Sequence, residues 1–226
     1  MESDAVKQGL TRDLIALRIA KELQDGMYVN LGFGLPTMVS MFLSPDKDVI
    51  LHAENGVLGY SGVILDESKG DIDLINASGQ PTSLLDGASI FDLNTSFMMI
   101  RGSHIDVTVL GAYQVSEKGD LANWQISGYH IGGIGGAIEL AMGAKRVIVA
   151  MEHVTKNGEP RIVKRCRYPL TARACVNTIV TDLAYIEVTE EGLLLREVAP
   201  GFTAEDVQSA TEPRLIVSEN LIEMQL

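Results

Sequence analysis

The residue of this chain best placed to do chemistry is Glu54. It follows the apolar run Val49-Ile50-Leu51 and opens the glycine-containing turn Glu54-Asn55-Gly56. Neither Lys nor Arg occurs within five positions on either side. A carboxylate in such a place is either a solvated loop residue or a reactive group at a strand end. As a nucleophile it needs no general base, because it is already ionised near neutral pH. It can attack an acyl or thioester carbon and become a mixed anhydride. The tetrahedral oxyanion formed on the way needs hydrogen-bond donors, and bare backbone N–H groups serve that purpose.

Glycine loops supply such groups in three places. Asn30-Leu31-Gly32-Phe33-Gly34-Leu35-Pro36 closes one strand-like run, Gly56-Val57-Leu58-Gly59 follows Glu54, and Gly132-Gly133-Ile134-Gly135-Gly136-Ala137 opens a helix. A dinucleotide fingerprint would need glycine at position 37 or 138, where Thr37 and Ile138 stand, and no GxxxxGK[ST] phosphate loop occurs. The loops therefore read either as tight turns or as sites for an anion or a developing oxyanion. Cys166 and Cys175 make no CxxC, and His52, His104, His130 and His153 have no metal-ligand spacing, so no metal site is expected.

The elements that must position these groups alternate in kind. Helices are expected from a Thr11 cap to Gly26 with Leu14, Leu17, Ile19, Ala20 and Leu23 as the apolar stripe, and over Thr37–Leu43, Ser89–Met99, Ala137–Met142, Ala172–Val180 and Thr203–Ser209. Strands are expected over Met27–Leu31, Val49–Leu51, Asp106–Leu110 and Arg146–Ala150. Asn157-Gly158 reads as a hairpin turn with Arg161–Lys164 returning, and Ala184–Val188 pairs with Leu193–Val198. This predicts an α/β fold with an open, largely parallel or mixed sheet flanked by helices, and one domain over 1–226. Glycine, at 22 of 226 residues, exceeds the usual share of about 7 per cent, in line with tight turns and close approaches. Thirty acidic against 18 basic residues give a net charge of −12, the wrong sign for a nucleic-acid binder. Two cysteines, a polar N-terminus and no long apolar run point to a reducing, cytoplasmic setting away from membranes.

VNLGFGLP, AENGVLGYSG, DLINASGQP, SFMMIRGSHIDVTVLGAYQVSEKGDLANW, GGIGGA and VIVAMEHVTKNGEPRIVKRCRYPLTARACVNTIVTDLA occur in this order. Together they resemble the B (beta) subunit of the family I 3-oxoacid CoA-transferases, over about Leu14 to Val217. The resemblance implies transfer of coenzyme A from a donor acyl-CoA to a short-chain or 3-oxo acid, as in ketone-body or short-chain fatty-acid metabolism. It implies ping-pong chemistry through a glutamyl-CoA thioester on Glu54. Asn30 is implied as a contact of that carboxylate or its adducts, and Gly135 with Gly136 as the oxyanion donors. No tightly bound cofactor is implied, coenzyme A being a substrate. A CoA-transferase A (alpha) subunit is implied as partner, in an αβ heterodimer or α2β2 heterotetramer. Lys156, Arg161, Lys164, Arg165 and Arg167 form the one basic stretch, which is either a solvated hairpin or a dock for CoA phosphates or for the alpha subunit. Tyr129 replaces a lysine common among relatives, in Ser127-Gly128-Tyr129-His130, and bears on the choice of acid. Three other readings stand beside this one. They are an acyl-CoA hydrolase using the same glutamate, a non-catalytic ligand-binding member of the superfamily, and a sugar-phosphate isomerase.

Overall fold

The computed structural model describes residues 7–64, 66, 70–126, 133 and 135–226. The Ser127–Gly132 stretch, with Tyr129 and His130, lies outside them, as does Ile134.

The strands are β1 (Tyr28–Leu31), β2 (Ile50–Ala53), β3 (Val57–Val63), β4 (Thr82–Ile90), β5 (Val107–Leu110), β6 (Gln114–Ser116), β7 (Leu121–Ala122), β8 (Arg146–Ala150), β9 (Ile162–Val163), β10 (Thr178–Val180), β11 (Ala184–Thr189), β12 (Gly192–Val198) and β13 (Leu215–Glu223). The helices are α1 (Arg12–Ala20), α2 (Leu93–Arg101), α3 (Ala137–Gly143) and α4 (Ala204–Ser209), with a 3-10 helix over Leu35–Phe42. Ten strands form one mixed sheet in the order β13-β12-β11-β10-β8-β5-β1-β2-β3-β4. Its middle five, β10, β8, β5, β1 and β2, run parallel. Their sequences are near-continuous apolar runs such as Arg146-Val-Ile-Val-Ala150, as strands covered on both faces require.

Strand periodicity divides the core in two. Val147 and Val149 join one cluster with Ile100, Leu140, Ile179 and Leu195, while Ile148 and Ala150 join another with Ile15, Ile19, Leu23 and Val109. Alternate residues of a strand point to opposite faces, so one cluster lies on each side of the sheet. Helix α1 covers the second face. Thr11 accepts from the Leu14 N–H as its N-cap, as expected. Its buried stripe, however, is Ile15, Ile19 and Leu23, while Leu14 and Leu17 are only half-buried. The stripe is rotated by one position because Arg18 must also face inward. There it meets Glu197 of β12 through two bonds of 2.8 and 2.6 Å, and Glu22 through one of 2.7 Å.

Other expectations are corrected. Residues 89 and 90 belong to β4, and α2 begins only after its Asp92 cap, whose carboxylate accepts from the Thr95 N–H. The stretch 172–180 is no helix: Thr178–Val180 is β10, buried beside β8. Its β-branched residues prefer that pleated slot, and burial there outweighs the helical bias of the alanines before it. Asn157-Gly158 does form a turn, closed by the Val154–Pro160 bridge. The chain after it then leaves the hairpin, and β9 pairs in parallel with β6 in a separate three-stranded sheet.

Candidate active site

The strand order β8-β5-β1-β2 reverses direction in sequence between β1 and β5. At such a switch point the loops leaving the two strands part and open a crevice beyond their C-terminal ends. A cleft of about 600 Å3 occupies that crevice. Residues 30–36 after β1, Leu110–Tyr113 after β5, Met151 and Glu152 after β8, and Glu54 after β2 line it.

Glu54 is the first residue of a three-residue hairpin loop between β2 and β3, where Ala53 pairs with Val57. The loop explains all three residues of Glu54-Asn55-Gly56. Asn55 Nδ2 donates to the Ile75 carbonyl at 2.9 Å and tethers the turn. Gly56 takes φ +119°, and a Cβ there would strike the Phe91 carbonyl, so only glycine fits. Glu54 is then presented to the cleft. Its carboxyl lies against Gly136, in the space that a Cβ on that residue would fill. The approach requires glycine at 136, which is buried at the start of α3, with Gly135 beside it at φ +53°. Burial alone pushes the Glu54 carboxyl above its ordinary value. Among the described residues no cation or hydrogen-bond donor pulls it back, so its oxygens keep more basicity than a solvated carboxylate has.

Asn30 lines the same cleft, but its side chain is buried and turned into the sheet. Its Nδ2 donates to His52 Nδ1 and to the His52 carbonyl, both at 3.1 Å, and Thr108 Oγ1 donates to its Oδ1 at 3.5 Å. Among the described residues it makes no bond to the free Glu54 carboxylate. With His52 Nδ1 accepting, the ring's Nε2–H donates to Ser96 Oγ at 3.0 Å. Burial lowers the His52 pKa to about 4 and keeps the ring neutral. Nothing in the sequence marked His52 as the residue that holds Asn30; their one-step register across β1 and β2 is a tertiary fact.

The basic stretch is split. Lys156, Lys164, Arg165 and Arg167 are exposed and outside the large cleft, and Arg167 borders a separate pocket of about 240 Å3. Only Arg161 lines the cleft. Trp124 also lines it, its Nε1 donating to the Leu170 carbonyl at 3.2 Å. His153 is structural: it is buried between Thr181 and Thr211, at 2.8 Å from each hydroxyl. Cys166 and Cys175 are half-buried free thiols whose pKa burial raises to about 12 and about 11, so they carry little thiolate. No group of metal-binding side chains occurs among the described residues.

The coenzyme A transferase family model matches residues 12–210. The chain belongs to the coenzyme A transferase family. It is 47% identical over 208 residues to the B subunit of the 3-oxoadipate CoA-transferase of Acinetobacter baylyi, covering 92% of this chain and 95% of that protein. It is 46% identical over 226 residues to human mitochondrial succinyl-CoA:3-ketoacid coenzyme A transferase 2, covering 99% of this chain but 44% of that longer protein. Its fold matches an acyl-CoA transferase apoenzyme from Escherichia coli O157:H7 with a TM-score of 0.75 at 21% identity, over 97% of this chain and 43% of that one. This coenzyme A transferase chain thus aligns nearly end to end with a separate B subunit in one relative, and with less than half of the human protein.

Proposed function

We propose that the chain is the catalytic B (beta) subunit of a two-component CoA-transferase that moves coenzyme A between short-chain or 3-oxo acids by ping-pong chemistry on Glu54. One observation carries the reading: a carboxylate unpaired among the described residues, made more basic by burial and pressed against a glycine in a cleft at the switch point.

Glu54 Oε attacks the thioester carbon of the donor. The C–S bond breaks, coenzyme A leaves as thiolate, and an acyl–glutamyl anhydride remains. The thiolate then attacks the glutamyl carbonyl carbon. The donor acid leaves as carboxylate, and Glu54 holds coenzyme A as a thioester. The acceptor carboxylate repeats the two steps in reverse order, so no proton is consumed and no water enters. Each attack makes an oxyanion beside the N–H groups of Gly135 and Gly136, and one fixed donor of this kind is worth about 3–4 kcal/mol. Water must be kept from the anhydride. Leu31, Leu35 and Ala137 give the cleft apolar walls. Phe33, 80% exposed at its rim, is placed to be covered by a second chain. We assign that chain as the A (alpha) subunit, in an αβ or α2β2 assembly working in the cytoplasm.

The test is to co-express the chain with its alpha subunit, then supply acyl-CoA without acceptor. Peptide mass spectrometry then looks for coenzyme A on Glu54. The expected result is an adduct there that Glu54→Gln abolishes. A folded, acyl-CoA-binding complex that never carries it would end the reading, and steady release of free coenzyme A without acceptor would mark a hydrolase instead.

A further inference from the structure

Glu54 and Gly136 meet at the cleft, yet they belong to segments remote in sequence, the β2–β3 turn and the start of α3. Helix α2 is tied to both.

At its N-terminal end the ties go to the Glu54 turn. Phe91, just before the Asp92 cap, donates its N–H to the Gly56 carbonyl at 3.0 Å, and the Phe91 carbonyl lies where a Cβ on Gly56 would stand. One turn into the helix, Ser96 Oγ accepts from His52 Nε2 at 3.0 Å, and both residues are fully buried. His52 stands two residues before Glu54 and Gly56 two residues after it. The backbone that carries the carboxylate is therefore gripped on both sides by α2 and the residue leading into it.

At its C-terminal end the ties go to α3. Arg101 Nε and Nη2 donate to the two Glu139 carboxylate oxygens at 2.9 and 2.7 Å, a bidentate fork that fixes orientation as well as distance. The same guanidinium lies over the Phe97 ring, 5.8 Å from its centroid, which restrains the fork. Further along α3, the Ile100 carbonyl occupies the space of a Cβ on Gly143, and Leu140 packs in one buried cluster with Ile100. Glu139 is in the first turn of α3, three residues after Gly136, so what grips Glu139 also holds the glycine. The three segments close a triangle, and α2, nine residues and about 13 Å long, is its rigid side.

We propose that α2 sets the approach of Gly136 to Glu54, and that Arg101, acting through Glu139, is a positioning residue for the transfer. Neither side chain lines the cleft. Arg101 is largely exposed, and exposed ion pairs add little to stability, so its loss leaves the fold standing while it frees the start of α3. The proposal rests on the transferase reading and goes beyond it by naming what holds nucleophile and oxyanion donors together.

The test uses the complex with the alpha subunit, without acceptor, and rapid quenching to time the appearance of coenzyme A on Glu54. The donor is succinyl-CoA or butyryl-CoA, whichever labels wild type faster. Arg101→Gln and Glu139→Gln should each label as many sites as wild type but about tenfold more slowly, because small displacements of reacting groups are costly in rate. The donor concentration for half-maximal rate and the melting temperature should stay close to wild type. The double variant should be no slower than either single one, since all three break one contact. Arg101→Lys should lie between, keeping the charge and losing the fork. Loss of the cation and loss of the carboxylate change the field at Glu54 in opposite senses, whereas both break the tie. Opposite effects of the two single variants therefore overturn the proposal. So do losses that multiply in the double variant, and fewer labelled sites at an unchanged rate, as a purely structural role would give. If Arg101→Gln does not fold, Glu139→Gln decides by the same rate, and an unchanged rate overturns the proposal. Unchanged rates beside a wild-type adduct sink this inference alone. No wild-type adduct with either donor is failure of the transferase reading, and this inference falls with it.

Discussion

Glu54 and Glu152 are two carboxylates in one cleft, each just past the C-terminal end of a parallel strand. Position alone would make them equivalent. Their surroundings do not. Glu152 has an arginine at 3.6 Å on either side and is half-buried. Glu54 has neither cation nor donor among the described residues, and burial raises its pKa. Cations stand beside Glu152, and none stands beside Glu54 among the described residues. Reactivity here comes from what is withheld from a carboxylate as much as from where it stands.

That contrast can be broken most severely at Glu54. Glu54→Gln removes the nucleophile and keeps the shape. It should lower kcat by at least about 10^4-fold while leaving the fold and melting temperature close to wild type. A drop of less than roughly tenfold in a transfer assay would assign the chemistry elsewhere. Gly136→Ala is next. The backbone there is unstrained for alanine, at φ −81°, so the whole effect comes from the methyl group displacing the Glu54 carboxyl. Displacement on the order of 1 Å should cost about 100-fold in kcat, with little change in the KM of the acid. Unaltered kcat would show that the contact does not position Glu54.

The acid limb of the kcat/KM profile sharpens the same comparison. Glu54 must be ionised to attack, and its raised pKa places the limb above the ordinary glutamate value of about 4.3. A limb at or below that value would contradict it. Stability has its own acid dependence behind the site. His52 and His153 are buried neutral with pKa lowered to about 4, against about 6.5 unfolded. The unfolded chain takes up protons first, so their contribution is present above about pH 6.5 and is lost as pH falls toward about 4. The loss is about 3 kcal/mol per histidine at most. Asp182, whose carboxyl burial raises, works in the opposite sense at the acid end. Thermal melts from about pH 7 to about pH 4.5 should therefore fall, and His153→Gln should flatten the slope. An unchanged slope in that variant would remove His153 from the account. The smallest effect is expected at Glu152, whose exposed pairs are worth less than about 1 kcal/mol. Glu152→Gln should shift the melting free energy by no more than that and still allow an adduct on Glu54.

Much of the frame was legible along the chain. Arg146–Ala150 was recognisable as a strand because Val147-Ile148-Val149-Ala150 is an unbroken apolar run, and the last helix was read as starting at Thr203, which in the structure is its cap, in a capping box with Asp206. Glu54 stood out by local means, a lone carboxylate between an apolar run and a glycine turn. The misreadings share a cause. Residues 172–180 and the strand β4 depend on neighbours far away in sequence, and β4 is a largely exposed edge strand with little apolar alternation. Likewise Lys156–Arg167 reads as one basic run. Folding turns only Arg161 into the cleft, because its backbone is tied to His153 and its guanidinium to Ala112.

By itself the sequence determined the α/β class, the nucleophile candidate, the glycines that can approach it and the family, because each is written in residue type and short spacing. Tertiary structure decided which of those glycines meets Glu54, that His52 holds Asn30, and that one arginine of the basic stretch faces the cleft. These are contacts between strands and loops remote along the chain. Only the sheet order, by placing β2, β1, β5 and β8 side by side, brings them to a single cleft.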